Sequence, residues 1–160
     1  MIIYVRLNNY NEAEHSLVVQ SHYAWEMGRL LSDANFRNQF KYLVAMKEGE
    51  VLEVYCIIGL AEYTPNEGSN RRRVKFLLEP VADDCFNQIN DLIERIKQND
   101  RSKIMNQGGH YITEEYLNQN GYSIPSDCNC GIDSIEYIEN PDDPRFTKLK
   151  EQNTIPRKIK

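Results

Sequence analysis

The stretch that most constrains this chain is residues 40–58, where two apolar runs flank one tight turn. Phe40-Lys41-Tyr42-Leu43-Val44-Ala45-Met46 reads as a strand, Glu48-Gly49 as the turn, and residues 51–58 as the returning strand. Glycine supplies the positive φ that a hairpin of this kind needs. Residues 64–70, Thr-Pro-Asn-Glu-Gly-Ser-Asn, form a loop dense in turn formers, and residues 71–79 read as the third strand of a meander. A chain with this centre has to build an antiparallel sheet there.

The flanks supply helices for that sheet to pack on. Residues 2–7 are rich in β-formers and read as a first strand, followed by a polar loop over 8–12. Ser21 is placed to cap a helix with Tyr23, Met27, Leu30 and Leu31 on one side. Ser32-Asp33 offers a second cap for a short turn through Phe36. Asp83-Asp84 put acids at a helix start, where they complement the dipole; Phe86, Ile89, Ile93 and Ile96 then recur at steps of three and four, so the spacing predicts a helix ending near Gln98. Residues 102–109 carry no clear periodicity. Thr113 caps a short helix over 114–118 that Gly121 stops, and residues 132–138 alternate as a last strand. The expected order is β-α-βββ-α-α-β. That is an α+β pattern, with one domain over residues 1–140 and a polar tail over 141–160.

Composition excludes several classes. With 160 residues, 41% hydrophobic and 27% charged, the chain is of ordinary globular make-up. No apolar run reaches the roughly 18 residues of a membrane span, so no membrane partner is expected. The start, Met1-Ile2-Ile3-Tyr4-Val5-Arg6, lacks a basic region followed by an apolar one, so no secretory signal is expected and the location is read as cytoplasmic. Twenty-four acids against nineteen bases give a net charge of −5, which argues against coating nucleic acid through bulk charge. The imbalance is uneven: residues 127–143 hold six acids and no Lys or Arg, residues 145–160 six bases and one acid.

Chemistry-bearing motifs are few. The chain has no G-x4-G-K-[ST], no G-x-G-x-x-G and no G-x-S-x-G. Gly108-Gly109-His110 reads as a turn followed by an exposed histidine, with His15 and His22 scattered elsewhere, and the acids Glu12, Glu14, Glu26, Glu114 and Glu115 read as solvated faces. No catalytic residue is assigned. Cys56 falls in a strand and Cys85 opens a helix, while Cys128 and Cys130 form a lone C-x-C; these are expected to be reduced, mostly buried thiols, with no metal and no cofactor.

Two features are sharper. Arg71-Arg72-Arg73 with Lys75 puts Arg71, Arg73 and Lys75 on one face of a strand and Arg72 on the other. That suits contact with phosphates, and it equally suits a charged edge that protects the sheet. The chain also has ten tyrosines and one tryptophan, and Trp25, Tyr42, Tyr55 and Tyr63 surround the hairpin in sequence. They read as core residues or as a pocket that stacks on a base.

The run 40–57, followed by Arg73-Val74-Lys75-Phe76, resembles the core of PUA-like domains of the EVE, YTH and ASCH kind. Tyr42, Ala45, Gly49, Val51, Val54, Tyr55, Ile57, Arg73 and Phe76 fit the hairpin and the strand after it. Where such sequences often carry a tryptophan just before the hairpin, this chain has Leu30, with Trp25 earlier. The resemblance implies a small, partly open mixed β-barrel or sheet with flanking helices and a pocket for an extruded or modified base. On that basis the expected function is a non-enzymatic module binding DNA or RNA. Trp25, Tyr42, Tyr55 and Tyr63 would hold the base, and Arg71, Arg72, Arg73 and Lys75 the phosphates. The alternative is a small regulatory or protein-interaction protein, of phage or mobile-element type, that takes a protein partner and no nucleic acid. An enzyme using His110 and a nearby acid ranks third.

Overall fold

The computed structural model describes residues 1–6, 28–63, 73–105, 111–124 and 134–146. Its frame is a six-stranded open sheet in the order β4-β3-β2-β1-β5, with β6 added beside β3. The strands are β1 (Ile2–Arg6), β2 (Tyr42–Lys47), β3 (Glu50–Tyr63), β4 (Arg73–Pro80), β5 (Tyr111–Ile112) and β6 (Glu136–Tyr137). Helices α1 (Gly28–Ser32) and α2 (Ala34–Arg37) follow β1; α3 (Asp83–Asn99), α4 (Arg101–Met105) and α5 (Glu114–Gln119) follow β4. The α+β expectation holds, and the described strands form a sheet that does not close into a barrel.

The meander forms as the sequence directs. Glu48 at φ 52° and Gly49 at φ 83° make the turn, and both angles match the twist of a two-residue hairpin. The returning strand is longer than expected, running to Tyr63, and its neighbours change along its length. Residues up to Cys56 pair with β2, those from Tyr55 onward pair with β4, and Gly59 and Leu60 pair in parallel with β6. Gly59 is the residue that lets β6 approach. A Cβ there would lie 3.0 Å from the Glu136 carbonyl oxygen and 3.0 Å from Ile138 Cδ1.

Both faces of the sheet are covered. One carries Ile2, Tyr4, Tyr42, Val44, Val54 and Cys56 and is packed by α3 through Phe86, Ile89, Leu92, Ile93 and Ile96, with Ile104 of α4 and Leu117 of α5 beside them. This is the apolar stripe that the spacing in α3 predicts. The other face carries Ile3, Val5, Leu43, Tyr55, Ile57, Phe76 and Leu78 under Leu30 and Leu31 of α1. Farther along the β3–β4 ribbon, Ala61 and Leu77 pack with Ile138 and Phe146.

Capping follows the reading. The Asp33 carboxylate accepts the Phe36 N–H at 3.1 Å and caps α2; that bond holds its carboxyl below the ordinary range. Thr113 caps α5 by accepting the Tyr116 N–H at 3.1 Å, and Gly121 at φ 75° ends the segment. The helix expected from Ser21 is seen only in its last part, α1; Tyr23 and Met27 lie outside the described residues, as does the 64–70 loop.

Beyond residue 140, Phe146 is 2% exposed and packs into the ribbon. Two readings are corrected. The last strand shrinks from 132–138 to Glu136–Tyr137 among the described residues. Cys56 and Cys85 are not reduced thiols: both are disulfide-bonded.

Candidate nucleic-acid interface

The expected aromatic pocket depended on Tyr42 and Tyr55 meeting. A straight hairpin closed by Glu48-Gly49 would pair them, since Lys47 opposes Glu50 and Met46 opposes Val51. The register then slips between Ala45 and Met46, so Ala45 opposes Glu53 and Tyr42 opposes Cys56. This β-bulge turns Tyr55 to the opposite face from Tyr42. Both are core side chains, at 2% and 1% exposure, and burial pushes the Tyr42 hydroxyl up from its ordinary pKa. They do not line a shared cleft. Trp25, Arg71 and Arg72 lie outside the described residues, as do His15, His22, His110, Cys128 and Cys130.

Lys75, one of the expected phosphate contacts, is engaged within the fold. Its Nζ donates to the Pro141 carbonyl at 2.8 Å and sits 4.8 Å from the centre of the Phe146 ring. The aliphatic stem and charge of Lys75 therefore dock the segment after β6 onto the ribbon.

What the fold does bring together is the far end of the ribbon. Tyr63 and Arg73 are register partners in the last described rung of β3 and β4, where the chain enters and leaves the segment holding Arg71 and Arg72. Along β3 from Tyr63, Leu60 pairs with Tyr137. At about 3.3 Å per residue, that rung lies about 10 Å away. Tyr137 is the one large hydrophobic side chain exposed among the described residues, at 39%. The Arg37 guanidinium lies 5.3 Å from its ring centre, held from behind by Nη1 donating to the Leu30 and Leu31 carbonyls at 2.9 and 3.3 Å. An exposed ring under a fixed guanidinium offers a stacking plane and a cation in one place.

The sequence reading missed Tyr137 and Arg37. Their signal was faint: Tyr137 stood in an alternating run with Ile135 and Ile138, and nothing local pointed from it to α2. The contact depends on Asn38, whose Oδ1 accepts the Ile135 N–H at 3.0 Å and draws β6 against the end of α2.

The surroundings are mixed in charge. Arg145 is bound to Glu136 at 2.7 Å and to Asp143 at 3.1 Å, which raises its own pKa and lowers that of Asp143. It is an internal counter-ion. A second aromatic group lies on the same side of the sheet as Tyr55: Phe36, Phe40 and Tyr111 pack edge-on or tilted at 5.0 to 5.8 Å, with Arg29 at 4.2 Å over Phe36. Phe40 is buried, so this group closes the end of the core. Glu53 is the one buried charged side chain among the described residues, and its Oε1 accepts the Val54 N–H at 3.1 Å.

Among the described residues no three His, Cys, Asp or Glu side chains gather as a metal would require, and no helix is long and apolar enough to cross a membrane. Comparison of the chain with protein-family models, with curated proteins and with solved structures returns no match.

Proposed function

We propose that this chain is a non-enzymatic nucleic-acid-binding module whose contact surface is the far end of the β3–β4 ribbon. The observation that carries the reading is the exposed Tyr137 ring beneath Arg37, set along β3 from the Tyr63–Arg73 rung. Tyr137 would stack on an accessible base of DNA or RNA, a modified or extruded one included, and Arg71, Arg72 and Arg73 would meet the adjoining phosphates. The PUA-like resemblance supports the same class of ligand by a different set of side chains. A cytoplasmic setting goes with this reading, whereas the disulfide bonding of Cys56 and Cys85 favours an oxidising one.

Fluorescence anisotropy with short single-stranded and duplex oligonucleotides, followed across salt concentration, tests the proposal. The wild type is expected to bind with a clear salt slope, and replacing both Arg71 and Arg73 by Ala should lower that slope by about two. Tyr137→Ala should weaken binding about tenfold to a hundredfold, the range of one stacking contact of about 1–3 kcal/mol, while leaving the slope alone. Absence of binding to native and base-modified DNA and RNA at low salt overturns the proposal.

One observation favours the protein-interaction alternative. The solvent side of α3 carries Asp83, Asp84 and Asp91, with Arg95 one turn beyond, and its acidic first half suits a basic protein partner. Charge reversal on α3 should then alter binding to that partner and leave the ribbon surface intact.

A further inference from the structure

We propose that β4 is a self-pairing edge: two copies of this chain join β4 to β4, antiparallel, about a two-fold axis at Leu77. β4 ends the sheet, with β3 on one side and no described strand on the other. The opposite edge, β5, has two residues, whereas β4 has eight. β4 is also unbroken, because the register slip near Ile58 falls on β3. A long edge without a bulge is a template for another strand.

The ladder to β3 fixes which backbone groups face outward. The Val81 N–H donates to the Val54 carbonyl at 3.2 Å, one rung beyond the Tyr55–Pro80 pair. Bonding residues alternate along an antiparallel ladder, so Glu79, Leu77 and Lys75 also turn their N–H and C=O groups to β3. Val74, Phe76 and Leu78 turn theirs away, and among the described residues no hydrogen bond reaches them from that side. Pro80 falls in the same outward set, where a residue without an N–H takes nothing from the sheet. The faces of the strand are already packed: Val74, Phe76 and Leu78 with Leu30 and Leu31 on one, Leu77 with Ile138 and Phe146 on the other. What stands open is the edge itself.

A second copy fits that edge by charge. In the register centred on Leu77, Phe76 meets the partner's Leu78, a pair that exchanges two hydrogen bonds between outward groups. Lys75 meets the partner's Glu79 on one face of the new sheet, in a close cross-strand pair that symmetry repeats. Lys75 keeps its charge while it donates to the neutral Pro141 carbonyl, and Glu79 is exposed. A slip of two residues either way sets Lys75 against Leu77 or Val81 and loses both pairs. An edge defended by charge shows like charges to its own copy; this one shows opposites. The joined sheet places the two Tyr63–Arg73 rungs about 26 Å apart along the strands, one at each end.

Sedimentation velocity across protein concentration, with amide hydrogen exchange followed residue by residue by NMR, tests this in the absence of nucleic acid. The wild type should dimerise as concentration rises. The Val74, Phe76 and Leu78 amides should exchange fast in dilute protein and slowly in the dimer, while those of Leu77 and Glu79, bonded to β3, stay slow in both. Glu79→Lys turns both charge pairs into repulsions and should weaken the dimer about tenfold. Because Glu79 is exposed, that variant should keep the wild-type melting temperature. A chain that stays monomeric at every concentration overturns the proposal. A dimer that Glu79→Lys leaves intact, or in which the outward β4 amides exchange as fast as in the monomer, is held by another face and overturns it as well.

Discussion

A single inserted residue decides what the two best-placed tyrosines do. Leu52 has no rung of its own in the β2–β3 ladder, and the slip it causes sends Tyr42 under α3 and Tyr55 to the other face. Gly59 decides the opposite kind of question, how close another backbone can come. Gly59→Val is expected to cost about 1–3 kcal/mol, because two contacts already at 3.0 Å from a Cβ would have to give way and one of them is backbone. Urea unfolding followed by circular dichroism checks this. A loss below about 0.5 kcal/mol would mean that β6 moves aside at little cost.

At the scale of elements, α5 is tied to the α3–α4 junction by side chains. The Tyr116 hydroxyl donates to Asp100 Oδ2 at 2.9 Å, Ser102 Oγ donates to Oδ1 at 3.0 Å, and the Lys103 ammonium lies 4.7 Å from the Tyr116 ring centre. Burial, then the Asp100 carboxylate, pushes the Tyr116 pKa up to about 12. An unfolded tyrosine ionises near pH 10, so between those values the unfolded chain binds fewer protons and stability falls as pH rises. Wild type should therefore lose melting temperature from about pH 10 to about pH 12, and Tyr116→Phe should lose less over the same interval. Equal losses would show that Tyr116 is not responsible. Thr113→Ala, which removes the cap of the same helix, should cost about 1 kcal/mol in urea unfolding. These elements also show what could be read in advance. The β2–β3–β4 meander and α3 were legible because turn chemistry and periodicity are local. β5 has two residues and its place beside β1 is set by packing, so no window of sequence announces it. The candidate site was legible only in part: Arg73 and Tyr63 were visible as residue types, whereas Arg37 over Tyr137 joins positions 100 apart in the chain.

Over the whole molecule, the ribbon is held down by the segment after β6. Phe146→Ala is expected to cost about 3 kcal/mol, at the low end for a buried aromatic because its cluster lies away from the main core. Chemical denaturation measures the loss, and binding of a hydrophobic dye should rise as Ala61 and Leu77 are uncovered. A change under about 1 kcal/mol would show that Lys75 and its bond to Pro141 suffice to dock the segment. The placing of β1 has a further consequence, for the order in which the molecule can be made. It lies between β2, in parallel, and β5: Ile2 opposes Tyr42 on one side and Ile112 on the other. Of the described strands β1 comes first in the chain, yet one side of its slot is closed only by β5, after β2, β3 and β4, so Ile2, Ile3, Tyr4 and Val5, all fully buried at the end, keep one edge open until residues 111–112 are made. The meander and α3 can assemble first, from local contacts, leaving a vacant rail beside β2. Docking β1 on that rail is a long-range step, and until it happens the apolar side chains of β1 stand open to aggregation.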